Sequence, residues 1–382
     1  MSQFEVPVVR VKIEPHPDAD RLELAIVGDF RSIVAKGQFK DGDLAVYIPE
    51  QAVLPGWLIE QLNLTGKLAG GAKNRVKAVR LRGIFSQGIC LSGNTGDELN
   101  PTTIGVSAAR GNDLCPVFES QVFTEGDNVA EFLDITKYEP SVPAHMAGRA
   151  LGADLSITHK YDFENLKKHP NLFDDGDEVV ITEKVHGTLL QVIVVPESAA
   201  NEKFYKGRVA ITSKGLGGRG IILDHNDDAN VYAQCVAKHG ILDKMLERFG
   251  GGANLLDLPV LMFGEVFGSG IQDLSYGSTL EFRAFDLCVG VREKAEFYDW
   301  MSFDAHMNAM GIQRVPALYV GPYSKDVVLQ HTDGKTTIGG DHIREGVVVK
   351  SVYELRHSRY GRKIAKSVSE AYLLRKNATE FA

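Results

Sequence analysis

The sequence contains no apolar run long enough to cross a bilayer as a helix, which excludes that class of membrane protein. Its opening, MSQFEVPVVRVKIEPHPDADRL, lacks a basic stretch followed by an apolar one, so no secretory signal is expected. Cysteine is scarce: Cys90, Cys115, Cys235 and Cys288 are scattered and form no C-x-x-C pair. That excludes a disulfide-stapled framework and a structural zinc, and it points to a reducing, cytoplasmic setting. There is no excess of cations either, since the formal net charge is −8. Taken alone, this counts against a nucleic-acid partner, because phosphate contacts need cations. Net charge averages over faces, however, and a local basic patch can sit on an acidic whole. Internal repeats and low-complexity tails are also absent.

What is present is ordinary for a folded protein: 44% apolar and 24% charged residues. A length of 382 residues exceeds what one core usually serves, so two domains are expected, 1–140 and 141–382. The first reads as β-rich. VPVVRVKI, LELAIV, SIVAK, LAVYIP, RVKAVRLRGI and QGICL are short β-branched or apolar runs between Gly, Asp and Pro turns. That spacing predicts a small barrel. Residues 93–113 read as a loop excursion and 124–143 as a connection. From about 145 the pattern predicts an α+β domain with mostly antiparallel strands, because helices do not alternate strictly with strands. One helix is expected over 228–249, another in YDWMSFDAHMNAMG, and a short one in YDFENLKKHPNLF.

The candidate chemistry starts from Glu183-Lys184-Val185-His186-Gly187-Thr188. K-x-x-G alone is a weak pattern, and a surface lysine before a turn glycine is its ordinary reading. Its companions change the weight. Glu265 sits in the apolar run MFGEVFG, Glu345 opens REGVVVKS, Phe285 lies in FRAFD, and Lys363 and Lys366 lie in GRKIAKS. One reaction needs all of them. A lysine that attacks the α-phosphate of ATP must be neutral, whereas an amine is normally protonated near pH 7. Partial burial and a neighbouring cation, Lys363 or Lys366, favour loss of that proton. The triphosphate needs lysines and a divalent metal to offset its charge. Mg²⁺ takes one or two carboxylates plus waters and phosphate oxygens, for which Glu345 and Glu265 are candidates. An aromatic ring is needed against the adenine face, and Phe285, or failing that Phe282, suits it.

EKVHGT, SKG, FGEVFG, FRAFD, EGVVVK and KIAK, in this order, resemble the motifs of covalent nucleotidyltransferases, the superfamily of DNA ligases, RNA ligases and capping enzymes. The histidine of KVHG and the run FGEVFGSGIQ resemble the RNA ligase branch. The resemblance covers about 160–370 and implies an ATP-grasp-like ligase domain of mixed, mostly antiparallel sheets. It implies that Lys184 becomes adenylylated, with Glu183 beside the adenine, Gly187 in the phosphate turn, and Ser213 and Lys214 near the ribose. It further implies Glu265 at the ribose or a metal, Phe285 stacked on the base and Glu345 on Mg²⁺ or Mn²⁺. Lys350, Lys363 and Lys366 would approach the phosphates. The sequence departs from the family pattern in three places. Leu189 stands where the phage-type motif has Asn, SKG stands where an arginine is usual, and Lys363 and Lys366 are spaced one residue wider than K-x-K.

In the first half, PHPDADRL (15–22) resembles the opening of tRNA-binding OB-folds. In NRVKAVRLRG, alternation places Arg75 and Lys77 on one strand face, and likewise Arg80 and Arg82. This predicts a phosphate-tracking stripe on an OB groove, the ordinary alternative being a solvated strand face. An OB domain placed before the nucleotidyltransferase domain resembles the RNA ligases of the Deinococcus and Naegleria type. Too few residues follow Lys366 for a C-terminal OB domain. The expected function is thus an ATP-dependent RNA ligase that joins 3′-OH and 5′-phosphate ends of RNA, with ATP and Mg²⁺ or Mn²⁺ and no obligate protein partner. The alternatives are a DNA ligase or capping-type enzyme, or a non-catalytic RNA-binding protein.

Overall fold

A computed structural model describes all residues except 1–3, 93–122, 139–147, 252–256 and 376–382. The expected loop excursion at 93–113 lies outside the described residues. The chain forms two compact units, with the main division between 140 and 141.

The first unit contains β1 (Val8–Arg10), β2 (Lys12–Pro15), β3 (Leu22–Val27), β4 (Phe30–Ala35), β5 (Leu44–Ile48), β6 (Ala52–Val53), β7 (Val79–Leu81), β8 (Ile84–Ser86), β9 (Ile89–Ser92) and β10 (Thr136–Lys137). Two antiparallel three-stranded sheets, β1-β5-β9 and β2-β3-β4, form its frame. VPVVRVKI is not one strand but two, and it passes from one sheet to the other at Val11. The passage buries Val8 and Val11 in separate clusters. The stretch 124–138 is more than a connection. Val129, Leu133 and Ile135 are buried against Val46, Leu54 and Leu58, and β10 pairs with β6.

NRVKAVRLRG also departs from the alternation argument. Arg75 is 1% exposed, and its guanidinium lies 3.9 Å from the ring centre of Tyr138. Lys77 is exposed in irregular chain, and Arg80 lies on β7. Arg82 and Gly83, both at positive φ, form the two-residue turn between β7 and β8. That pattern is the primed turn that matches strand twist. The chain bends at this turn, so the four cations do not form one strand stripe.

The second unit contains β11 (Ala150–Ala153), β12 (Glu178–Lys184), β13 (Thr188–Val194), β14 (Val209–Ser213), β15 (Ile221–Leu223), β16 (Val260–Phe267), β17 (Glu281–Val289), β18 (Glu296–Phe297), β19 (Ala317–Pro322), β20 (Gly346–Ser351), β21 (Arg356–His357), β22 (Gly361–Arg362) and β23 (Ile364–Val368). A seven-stranded sheet has the order β11-β15-β14-β13-β16-β17-β18, and a four-stranded sheet the order β19-β12-β20-β23. The β12–β13 connection, Val185–Gly187, joins the two sheets. Both faces of the larger sheet are buried. Leu190, Val192 and Val194 pack against the helices Val231–His239, Ile241–Phe249 and Trp300–Met310, while Leu189, Ile193 and Val195 pack with Tyr161 and Phe263. Each side chain of this kind contributes about 1.5–3 kcal/mol by burial. The single helix expected over 228–249 is broken at Gly240, whose φ of 61° caps the first helix in the left-handed conformation that glycine adopts freely. YDFENLKKHPNLF forms only the short 3₁₀ turn Leu166–Lys168.

Candidate active site

β12 ends on Lys184, and β20 begins at Gly346, its cross-strand partner. This register sets Glu345 beside Lys184, with Nζ 2.6 Å from Oε1. Gly346 is needed there, because a Cβ would fall 2.1 Å from the Ser367 carbonyl. Gly187 has the same role on the other sheet. A Cβ on it would fall 2.3 Å from the Val266 carbonyl, so only glycine lets β13 start this close to β16. Glu265 stands on β16 opposite Leu189, on the sheet face that carries Phe263 and Tyr161. Leu189, in place of the phage-type Asn, therefore gives that position an apolar contact.

The two carboxylates are held differently. Burial opposes charge on Glu345, but Lys184 and His186 outweigh it, and its carboxyl falls to about 2. Burial raises Glu265 to about 7, with Lys184 opposing the rise and Glu345 adding to it. Lys366 points from β23, two strands from Thr182 through Val348. Burial, followed by repulsion from Lys214 and Lys184, lowers its amine to about 8. Among the described residues it has no carboxylate at ion-pair distance. Lys214 follows the buried Ser213 at the end of β14 and lies 3.0 Å from Asp162.

Phe285 owes its position to an irregularity. Phe263 pairs with Asp286 and Gly264 with Ala284, so Phe285 is the extra residue of a β-bulge. Bulges re-aim side chains and concentrate near active sites. Half-buried Phe285 packs beside Val185 and lies 5.3 Å from the Tyr161 ring. Phe282 is buried in the cluster on the opposite face. Glu183 is 1% exposed and accepts from Thr336 Oγ1 at 2.5 Å, Thr337 N–H at 2.8 Å and Thr337 Oγ1 at 2.7 Å. It thereby pins the 336–338 loop, whose Ile338 packs, like Phe285, against the cluster of Val185 and Tyr276.

Two lysines are not brought to this cluster. Lys350 is buried, 2.9 Å from Asp286, which also accepts from Arg362 at 2.9 Å and from the Tyr161 hydroxyl at 2.8 Å. Lys363 lies 2.6 Å from Asp177, just before β12. Lys184 stands at the other end of that strand, roughly 20 Å away at the usual strand rise. Sequence reasoning missed Asp273, Tyr276 and Tyr372, all of which contact His186. Asp273 and Tyr276 follow FGEVFG closely enough to have been candidates, whereas nothing local marks Tyr372. Among the described residues, no His, Cys, Asp or Glu cluster is arranged as a metal cage. Within the same residues, no helix is long and apolar enough to cross a membrane.

The larger unit thus presents a strand-end lysine, two carboxylates and a second amine at the junction of two antiparallel sheets, the frame of a covalent nucleotidyltransferase. The family model for RNA ligases matches residues 177–368, half of the chain, and the chain belongs to the RNA ligase family. A model for an OB-fold domain matches residues 6–92, which gives the first unit its class. Among solved structures, the chain is similar to Naegleria gruberi RNA ligase. An arginine variant of it with ATP and manganese gives a TM-score of 0.73 at 20% identity, covering 97% of this chain and 98% of that one. The pyrophosphate complex gives 0.72 at 20% identity over the same shares. A lysine variant with AMP and manganese gives 0.72 at 20% identity, over 96% and 97%. At that identity the likeness is one of fold. A search of curated proteins found no match.

Proposed function

We propose that the protein is an ATP-dependent RNA ligase acting through a lysyl-AMP on Lys184. The observation that carries this reading is the set of Lys184 and Glu345 at 2.6 Å with Lys366 nearby, which among the described residues has no carboxylate at ion-pair distance. Lys184 and Lys366 repel each other when both are protonated, which favours a neutral amine on one of them. Neutral Lys184 Nζ attacks the α-phosphorus of ATP. The N–P bond forms, the bond to pyrophosphate breaks, and the amine proton leaves. An RNA 5′-phosphate oxygen then displaces the lysine from AMP, and Lys184 regains a proton. Finally an RNA 3′-OH attacks that phosphate, its proton is released, and AMP departs.

Glu345 and Glu265 are the carboxylates that would hold Mg²⁺ or Mn²⁺, which when bound would offset charge on the phosphates. Glu345 is ionised before any cation arrives. Phe285 offers its ring to the adenine, Ser213 and Lys214 flank the ribose, and Gly187 admits a phosphate close to the main chain. Lys366 carries the phosphate role for which three lysines were candidates, since Lys350 and Lys363 are held in ion pairs. In the first unit the exposed Lys77, Arg80 and Arg82 are the phosphate contacts for RNA, without buried Arg75.

The test is incubation with ATP labelled at the α-phosphate and a divalent metal. The wild type should acquire label and Lys184→Ala none. Equal labelling of the two, or no labelling of the wild type, sinks the reading. Labelling by GTP instead would indicate a capping-type enzyme. Sealing of all-DNA nicks as readily as RNA-containing ones would indicate a DNA ligase.

A further inference from the structure

The hairpin of β21 and β22 takes no part in the proposed chemistry, yet it gathers cations and rings on a chain whose net charge is −8. Its root is fixed. Arg362 donates to Asp286 at 2.9 Å and to Glu354 at 2.6 Å, and its guanidinium lies 3.4 Å from the ring centre of Phe297. Arg356 is the cross-strand partner of Arg362, and His357 that of Gly361. The turn is fixed as well, because His357 Nδ1 accepts the main-chain N–H of Arg359 at 3.1 Å. This frame presents a stack of three rings. His169 and His357 each lie 20° from the plane of Tyr360, with ring centres 4.3 and 4.6 Å from it. The Arg359 guanidinium lies 5.5 Å from the Tyr360 ring centre. Tyr353, in the connection between β20 and the hairpin, is 63% exposed.

The charges here differ from those that hold the fold. Lys350 and Arg362 share Asp286, and Lys363 has Asp177. Arg356 and Arg359 are exposed and, among the described residues, have no carboxylate at ion-pair distance. A guanidinium fork matches a phosphate bidentately, and ring platforms take the flat faces of bases whatever their sequence. An acidic peptide would use the arginines and leave the rings idle, whereas RNA uses both. Position then sets which part of the RNA arrives. The hairpin lies past the Ser351 end of β20, roughly 20 Å from Glu345 at the usual strand rise. At a stacked rise of about 3.4 Å, that distance spans about six nucleotides. We propose that the β21–β22 hairpin is an RNA-binding surface of the larger unit: Arg356 and Arg359 hold phosphates, and the rings of Tyr353, His357 and Tyr360 carry bases, about six nucleotides from the reacting end. The rigid turn presents these groups without an ordering cost on binding. The inference rests on the reading of Lys184 as the residue at that reacting end.

Binding of the full-length protein to fluorescent nicked RNA duplexes tests it. Strands on either side of the nick are made about 12 or about 4 nucleotides long, to bracket the span of about six. The wild type should lose about tenfold in affinity when one of the two strands is shortened, the scale of a lost base platform. Arg356→Ala combined with Arg359→Ala should bind the long duplex as weakly as the wild type binds the short one. Shortening should cost this variant nothing more, because the two changes remove the same contacts. Its slope of log affinity against log salt should be smaller by about 0.7–0.9 per arginine, and Arg356→Lys combined with Arg359→Lys should keep the slope. 5-Iodouridine about six nucleotides from the nick should crosslink to Tyr353 or His357. Unchanged affinity and slope in the alanine variant overturn the proposal, and so does an equal loss on long and short strands. If the alanine variant loses polyglutamate binding as strongly as RNA binding, the hairpin takes acidic chains in general and the assignment to RNA fails. Labelling from ATP without RNA is a separate readout. Retained labelling in the alanine variant shows an intact fold. A wild type without label sinks the reading of Lys184, while a length-dependent loss of RNA binding would still stand for the hairpin.

Discussion

Cations lie along the paired strands β20 and β23, and those toward Ser351 are held differently from those toward Glu345. Toward Ser351, Asp286 binds Lys350 and Arg362 at 2.9 Å each, and Arg362 is held also by Glu354 at 2.6 Å. Burial opposes the charge of Asp286, yet Arg362 and Lys350 keep its carboxyl below the usual range. Nearby, Lys363 pairs with Asp177, and its amine is raised. Toward Glu345, Lys366 is lowered to about 8 and, among the described residues, has no carboxylate at ion-pair distance, while Glu265 is raised to about 7. Paired charges fix one end of the sheet, whereas at the other Lys366 and Glu265 are pushed toward neutrality beside the Lys184–Glu345 pair. Groups whose surroundings push them toward neutrality mark the chemistry better than lysine content does.

The sharpest way to break this contrast is Asp286→Asn. It leaves Lys350 and Arg362 buried without their acid, and urea unfolding should show a loss of about 3–5 kcal/mol. The pH dependence follows from the depressed carboxyl. Its stabilisation is full above the unfolded value of about 3.9 and is lost as pH falls through the lower folded value. The difference between wild type and variant should therefore shrink in acid. A constant difference down to acid unfolding would mean that Asp286 is not the anchor.

Next in size is Lys366→Ala, which should slow lysyl-AMP formation by about 10²–10³-fold, the cost of removing one preorganised charge donor. Lys366 is cationic below about 8, so the advantage of the wild type in kcat/KM for ATP should narrow as pH rises through that value. An advantage that widens above pH 8 would contradict the assignment. Phe285→Ala should weaken ATP binding by about 1–3 kcal/mol, the usual worth of a base on an aromatic platform, with Phe282→Leu affecting unfolding instead. Calorimetric titration with a non-hydrolysable ATP analogue separates the two. The smallest effect belongs to Lys363→Ala: labelling unchanged and stability lower by no more than about 1 kcal/mol, as for other partly exposed ion pairs. A labelling defect as large as that of Lys366→Ala would erase the distinction between the two ends.

The residues of the proposed site were legible because each stands in a local pattern. Lys184 and Gly187 belong to one turn, and Glu265, Phe285 and Glu345 each stand in a run whose apolar pattern makes an acid or an aromatic conspicuous. The OB class of the first unit was legible from strand spacing. What failed was alternation across irregular chain. Arg75 and Lys77 were assigned to one exposed face, but residues 75–78 are not a strand there and Arg75 turns inward onto Tyr138. The helix break at Gly240 was missed because apolar spacing continues through it.

By itself, then, the sequence pointed to the RNA ligase class and the order of the two domains, since both are written in contiguous motifs, and it singled out Lys184 as the residue proposed to be adenylylated. Tertiary structure decided that Lys350 and Lys363 are held in ion pairs, which leaves Lys366 as the lysine proposed to serve the site. Lys350 and Asp286 are 64 positions apart, Lys363 and Asp177 186, and their pairing depends on sheet register that no local pattern encodes. The same holds for Tyr372, which reaches His186 across 186 residues and gives the ring beside Lys184 its orientation.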